Sequence, residues 1–132
     1  MRKYPHLLKV DVPVWERFLD YHGHNYNHFE YDVRVGLGRD PGPEVGNNIR
    51  QMALDLSLRR IDAVGHKADV IHIIEITTSA GMTAVGQLSS YPTLYRATFN
   101  PTIPTTPLLV AERLQSDIET ALNAANIPFI LI

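Results

Sequence analysis

Four side chains between Arg60 and Tyr91 have the types and spacings that handle a metal ion and a phosphodiester. In the stretch RRIDAVGHKADVIHIIEITTSAGMTAVGQLSSY, Asp62 falls on the first strand of an expected β-hairpin and Glu75 near the end of the second. A helix follows, and Gln87 and Tyr91, four residues apart, share one of its faces. Carboxylates on neighbouring strands suit a hard divalent cation, because Mg²⁺ takes one or two carboxylates plus phosphate oxygens and water. They suit phosphodiester cleavage too, where metal ions stabilise the attacking and leaving oxygens. Glu75 also interrupts an apolar run (Val70, Ile71, Ile73, Ile74, Ile76), and a buried carboxylate is costly unless paired or metal-bound. The plain alternative is a salt bridge from Glu75 to Arg59 or Arg60.

The surrounding pattern supplies elements to carry these groups. Asp11 reads as an N-cap with Pro13 in the first turn, and Val14, Trp15, Phe18 and Leu19 form an apolar stripe, so a helix is expected over 12–21, ending near Gly23. Trp15 is expected to anchor the core. Tyr31 to Leu37 alternates as a half-buried strand, and Gly38 to Asn48 is a loop rich in chain breakers. Met52, Leu54, Leu56 and Leu58 alternate with polar residues, which favours one long strand over 49–64. Residues 65–69 form the turn, and 70–77 read as a buried strand. A helix is expected over 79–99, kinked or divided by Pro92. Residues 100–107 are a stiff proline-rich connection and 108–111 a short strand. Ser116, with Glu119 three residues on, reads as the capping box of a helix to about Ala125, and 128–132 as a final strand. The expected order is α-β-β-β-α-β-α-β: an α/β (α+β) fold with a mixed central sheet flanked by helices, in one domain spanning 1–132.

Composition narrows the chemistry. At 132 residues, 45% apolar and 20% charged, the chain is an ordinary globular protein. It has no cysteine, which excludes disulfides, zinc-thiolate sites and cysteine nucleophiles. The sequence shows no signal-peptide core and no membrane span, so a cytoplasmic protein is expected. Net charge is −2, with three lysines against nine arginines. A DNA-binding role would then need a local arginine patch rather than overall basicity. There is no G-x-S-x-G elbow, P-loop or G-x-G-x-x-G motif.

This order, with Asp62, Glu75, Gln87 and Tyr91, resembles the PD-(D/E)xK nuclease-like superfamily, in the branch with a Q-x-x-x-Y motif after the catalytic strand. The resemblance implies a restriction-endonuclease-like fold and a metal site of Asp62, Glu75 and the backbone carbonyl of Ile76. It implies Mg²⁺, with Mn²⁺ as a substitute, and hydrolysis of DNA by a metal-bound water. Glu16 matches an acidic residue often carried on the first helix, and Gln87 and Tyr91 match the pair beside the substrate strand. Thr77 stands where the family has its catalytic lysine. Arg60, two residues before Asp62, is the nearest candidate to replace that charge, since strand alternation would give it the same face. The implied partners are DNA and a second copy of the chain.

The missing lysine and the acidic net charge favour an alternative. The chain would then be a catalytically inactive nuclease-fold subunit of a larger assembly, such as a phage head–tail connector, and virion-associated. His22, His24 and His28 could chelate a transition metal, but a contact loop with aromatic neighbours is the simpler reading. His72 has opposite strand parity to Glu75 and is expected on the other face.

Overall fold

The computed structural model describes residues 3, 4 and 6–132. Its elements are α1 (Val12–His22), β1 (His28–Val35), α2 (Asn47–Leu56), β2 (Arg59–His66), β3 (Ile71–Ala80), α3 (Met82–Phe99), β4 (Thr105–Leu114), α4 (Ile118–Ala124) and β5 (Phe129–Leu131), with a 3₁₀ turn at Gly23–Asn25. The strands form one sheet in the order β1-β2-β3-β4-β5. β1, β2 and β3 are antiparallel neighbours, whereas β4 runs parallel to both β3 and β5. Helices α3 and α4 make the two parallel crossovers. This is the mixed, helix-flanked α+β sheet expected from the sequence.

Hydrophobic patterning assigns α1, α3 and α4 each a face. Trp15, Phe18 and Val14 of α1 pack with Ala63, Ile74, Ile76, Leu108 and Val110. Trp15 is fully buried, as expected, and its indole N–H donates to the Tyr31 hydroxyl at 3.1 Å. On the opposite face, Leu88 of α3 and Leu122 of α4 cover Leu109 and Ala111. Tyr91 and Tyr95 of α3 cover Val35, Ile61, Val64, Ile71 and Ile73. Pro92 is buried within α3, which runs through it as one helix and ends at Asn100 in the left-handed conformation.

Three expectations need correction. The stretch 49–64 is not one strand: α2 ends at Leu56 and β2 starts at Arg59. No α2 side chain is buried, and Ile49, Met52 and Leu56 are exposed, so the alternation carried no burial signal. Good helix formers and a Gln51–Asp55 side-chain bond of 3.0 Å decide the local structure instead. Ser116 does not cap α4, because Asp117 holds the N-cap position at φ 68° without a side-chain cap bond. Asp11 does sit at the N-cap of α1, yet its side chain caps nothing there. It reaches Thr78 on β3 instead, accepting from the Thr78 amide and hydroxyl at 2.9 Å each. Strand β1 is shifted, starting three residues before the expected limit and ending two before it, and β4 extends by three residues at each end.

Candidate active site

Asp62 and Glu75 meet where the regular pairing of β2 with β3 stops. The ladder runs from His66↔Ile71 to Ala63↔Ile74, so the next positions along are Asp62 and Glu75. There the Asp62 side chain takes over from the backbone: Oδ2 accepts the Ile76 amide N–H at 2.9 Å. β1 and β2 change face at the same level. Phe29 and Tyr31 pack on the α1 side whereas Val33 and Val35 pack on the α3 side, and Asp32 between them has φ 54°. Ala63 and Ile61 are divided in the same way across Asp62. An aspartate tolerates this left-handed conformation better than most residues.

Burial sets the electrostatics. Asp62 and Glu75 are 9% and 5% exposed. Desolvation raises the Asp62 carboxyl above its ordinary pKa, opposed by hydrogen bonds from Glu75 and the Ile76 amide. Glu75 is pushed well above the usual carboxylate range, by burial first and then by the charge of Asp62. Its Oε1 is buried without a hydrogen-bond partner among the described residues, and neither Arg59 nor Arg60 forms the structural salt bridge to it. An orphaned carboxylate oxygen beside a second buried acid is an all-oxygen donor set of the kind a hard divalent cation takes. The residues present fit Mg²⁺ or Mn²⁺.

The pair opens into a pocket of about 260 Å³ lined by His6, Asp11, Asp62, Glu75, Ile76, Thr77 and Gln87, with apolar Leu7, Leu8 and Ala84. Gln87 lines this pocket, and Tyr91, one turn further along α3, is buried close enough to Glu75 to feel its charge. Tyr91 is raised by burial and then by the Glu75 charge, and Gln87 hydrogen-bonds its side chain. Thr77 lines the pocket at the position where the resemblance would put lysine.

Two expected contributors are not brought in. Glu16 is exposed on α1 and borders a separate depression with Lys3, Tyr4, Lys9 and Val12. Arg60 forks Asp32 through two hydrogen bonds of 2.6 Å, so its charge is already matched. The alternation argument for Arg60 fails because the strand changes face at Asp62. Lys67 lies far round the molecule, over the Tyr26 ring. His72 accepts or donates at Tyr26 Oη (2.7 Å) on the α1 face, as its parity implied.

Two residues enter that the motif reading did not name. Asp11 brings a 7% exposed carboxylate from the start of α1 to the pocket that Glu16 does not reach. His6 places Nε2 3.5 Å from Asp62 Oδ1 and Nδ1 3.7 Å from Asp32 Oδ1. Among the described residues lining the pocket it is the only basic side chain. The single sequence signal for Asp11 was its helix-capping position, and nothing marked His6.

No protein-family model matches this sequence. No curated protein matches it either. Among solved structures, a chain of the EndoMS–dsDNA2 complex superposes with a TM-score of 0.53 at 18% identity. The match covers 100% of this chain and 48% of that one, so the present chain spans about half the neighbour's length. At that identity the likeness is one of fold. The fold is restriction-endonuclease-like.

Proposed function

We propose that this chain is a metal-dependent DNA endonuclease-like protein whose ion site is the Asp62–Glu75 pair. The observation carrying this reading is Glu75 Oε1, buried and unpartnered beside Asp62 at the wall of an open pocket. Asp62 and Glu75 would hold a divalent cation, with the Ile76 carbonyl as a third ligand. Such an ion supplies Lewis acidity at a phosphodiester and offsets charge on its oxygens. Gln87 lines the pocket from α3, with Tyr91 hydrogen-bonded behind it, and the pair would position the substrate strand. Asp11 adds negative charge at the rim, and His6 orients Asp62 through its 3.5 Å contact. DNA as substrate is supported by a fold shared with a protein solved on double-stranded DNA.

One observation favours a second reading. Thr77 brings no charge to the pocket, Arg60 is committed to Asp32, and no lysine or arginine among the described residues lines the site. An inactive nuclease-fold subunit of a larger assembly would have this character. A cleavage assay on supercoiled and branched DNA with Mg²⁺ and Mn²⁺ separates the two. Metal-dependent nicking by wild type, abolished in Asp62→Ala and in Glu75→Ala, is the expected result. Silence from all three, with the proteins folded, transfers the weight to the assembly subunit.

A further inference from the structure

A second group of ligating side chains lies elsewhere on the sheet, at the far end of the β1–β2 ladder. His28 and Glu30 are two residues apart on β1, and His66 is directly opposite His28 on β2. The three offer ligand atoms that all lie within 4.8 Å of one another. The imidazoles of His28 and His66 stack with centroids 4.1 Å apart and planes 8° from parallel. Glu30 Oε1 lies 2.6 Å from His66 Nε2. His66 lies four positions along β2 from Asp62, or roughly 13 Å of extended strand. This group is distinct from the acid pocket and shares no residue with it.

We infer that His28, Glu30 and His66 form a binding site for a borderline divalent transition ion of the Zn²⁺ class. Two imidazoles and one carboxylate are the donor set such ions prefer, whereas Mg²⁺ calls for oxygen. The scaffold is suited to holding them, because all three residues stand on paired strands rather than on a loop. The Asn27 amide donates to the His66 carbonyl at 2.8 Å and secures this end of the ladder. Without the ion, His66 Nε2 and Glu30 Oε1 hydrogen-bond to each other; with it, the ion would lie between them. Three protein ligands leave one position of a tetrahedron open to water or to a side chain from a partner. Since β1 is an edge strand, the ion would staple the edge of the sheet to its neighbour. The site uses only one of the three histidines whose spacing first suggested chelation. His22 stacks instead on Phe18, and His24 is exposed on the 3₁₀ turn.

The proposal does not depend on nuclease activity, and its test reads the ion directly. The full chain would be titrated with Co²⁺, followed by its visible absorption, and with Zn²⁺ by calorimetry. Variants are His28→Ala, His66→Ala, Glu30→Gln and the double change Asp62→Asn/Glu75→Gln. One tight equivalent in wild type is expected, apart from any weaker uptake by the acid pair, with its affinity falling at least 10-fold in both histidine variants, as losses of even outer-sphere partners cost about 10–100-fold. Glu30→Gln, an exposed near-isosteric change, should weaken that binding without affecting the fold, and the double variant should keep the tight equivalent. Three outcomes overturn the inference: no binding below about 1 mM, binding unaffected by either histidine change, or binding lost only in the double variant.

Discussion

Asp32 on β1 and Glu75 on β3 flank Asp62 from its two sides, and their environments differ completely. Asp32 is matched by the fork of Arg60 and touched by His6, and its carboxyl is held below the ordinary range chiefly by the Arg60 hydrogen bonds. Among the described residues Glu75 has no cation beside it and one oxygen has no partner, and its carboxyl is held well above that range. The contrast separates an acid that stabilises the fold from one the fold tolerates at a cost. Groups of the second kind cluster at functional sites because something other than folding retains them. The candidate site thus lies on the β3 side of Asp62, and the β1 side serves as its structural support.

The sharpest way to test this asymmetry is to supply the missing charge. Thr77→Lys should raise Mg²⁺-dependent cleavage by roughly 10²–10³, the usual worth of one preorganised donor to a developing charge. Single-turnover nicking rates would show it; an unchanged rate with DNA bound and metal present would remove the catalytic reading. The next effect concerns stability. Glu75→Gln should stabilise the metal-free protein at pH 8 by about 1–2 kcal/mol, because a buried carboxyl with a raised pKa costs the fold at alkaline pH and an amide does not. That corresponds to a rise of roughly 3–8 °C in thermal midpoint.

The pH dependence has a definite sign. Because Glu75 and Asp62 bind protons more tightly folded than unfolded, stability of the metal-free wild type should fall as pH rises above about 4.5, the ordinary glutamate value. Melting curves from pH 4.5 to 8 would record this slope, which Glu75→Gln should flatten. The smallest effect belongs to the opposite side. Asp32→Asn should cost about 1 kcal/mol at neutral pH, since the Arg60 side chain is 38% exposed and solvent screens the pair. Here the sign reverses: the wild-type contribution is present at neutral pH and is lost as pH falls below 3.8 through the folded value. A larger acid-side loss in Asp32→Asn than in Glu75→Gln would invert the comparison.

The legible parts of the molecule are those where burial and sequence period agree. The apolar run of β3 with one acid in it announced a strand and drew attention to Glu75, and the helix after it carries Gln87 and Tyr91 on the same face of the sheet as Glu75. The α1 stripe and the core position of Trp15 followed equally directly. Alternation misled over 49–56 because Ile49, Met52 and Leu56 face solvent, and apolar residues without burial report no period. It misled again at Arg60, because Asp32 and Asp62 mark a change of face that no residue pattern announces. His6 and Asp11 are remote in sequence from Asp62 and Glu75, and only tertiary packing brings them to the pocket.

One hydrogen bond makes the candidate site audible at the backbone. The Ile76 amide is held by the Asp62 carboxylate rather than by a strand carbonyl, so its proton depends on the same oxygen pair that an ion would draw upon. A cation pulling on Asp62 would change the chemical shift and solvent-exchange rate of that single amide ahead of its neighbours on β3. Ile76 is in effect a built-in gauge of occupancy, readable by spectroscopy without any substrate.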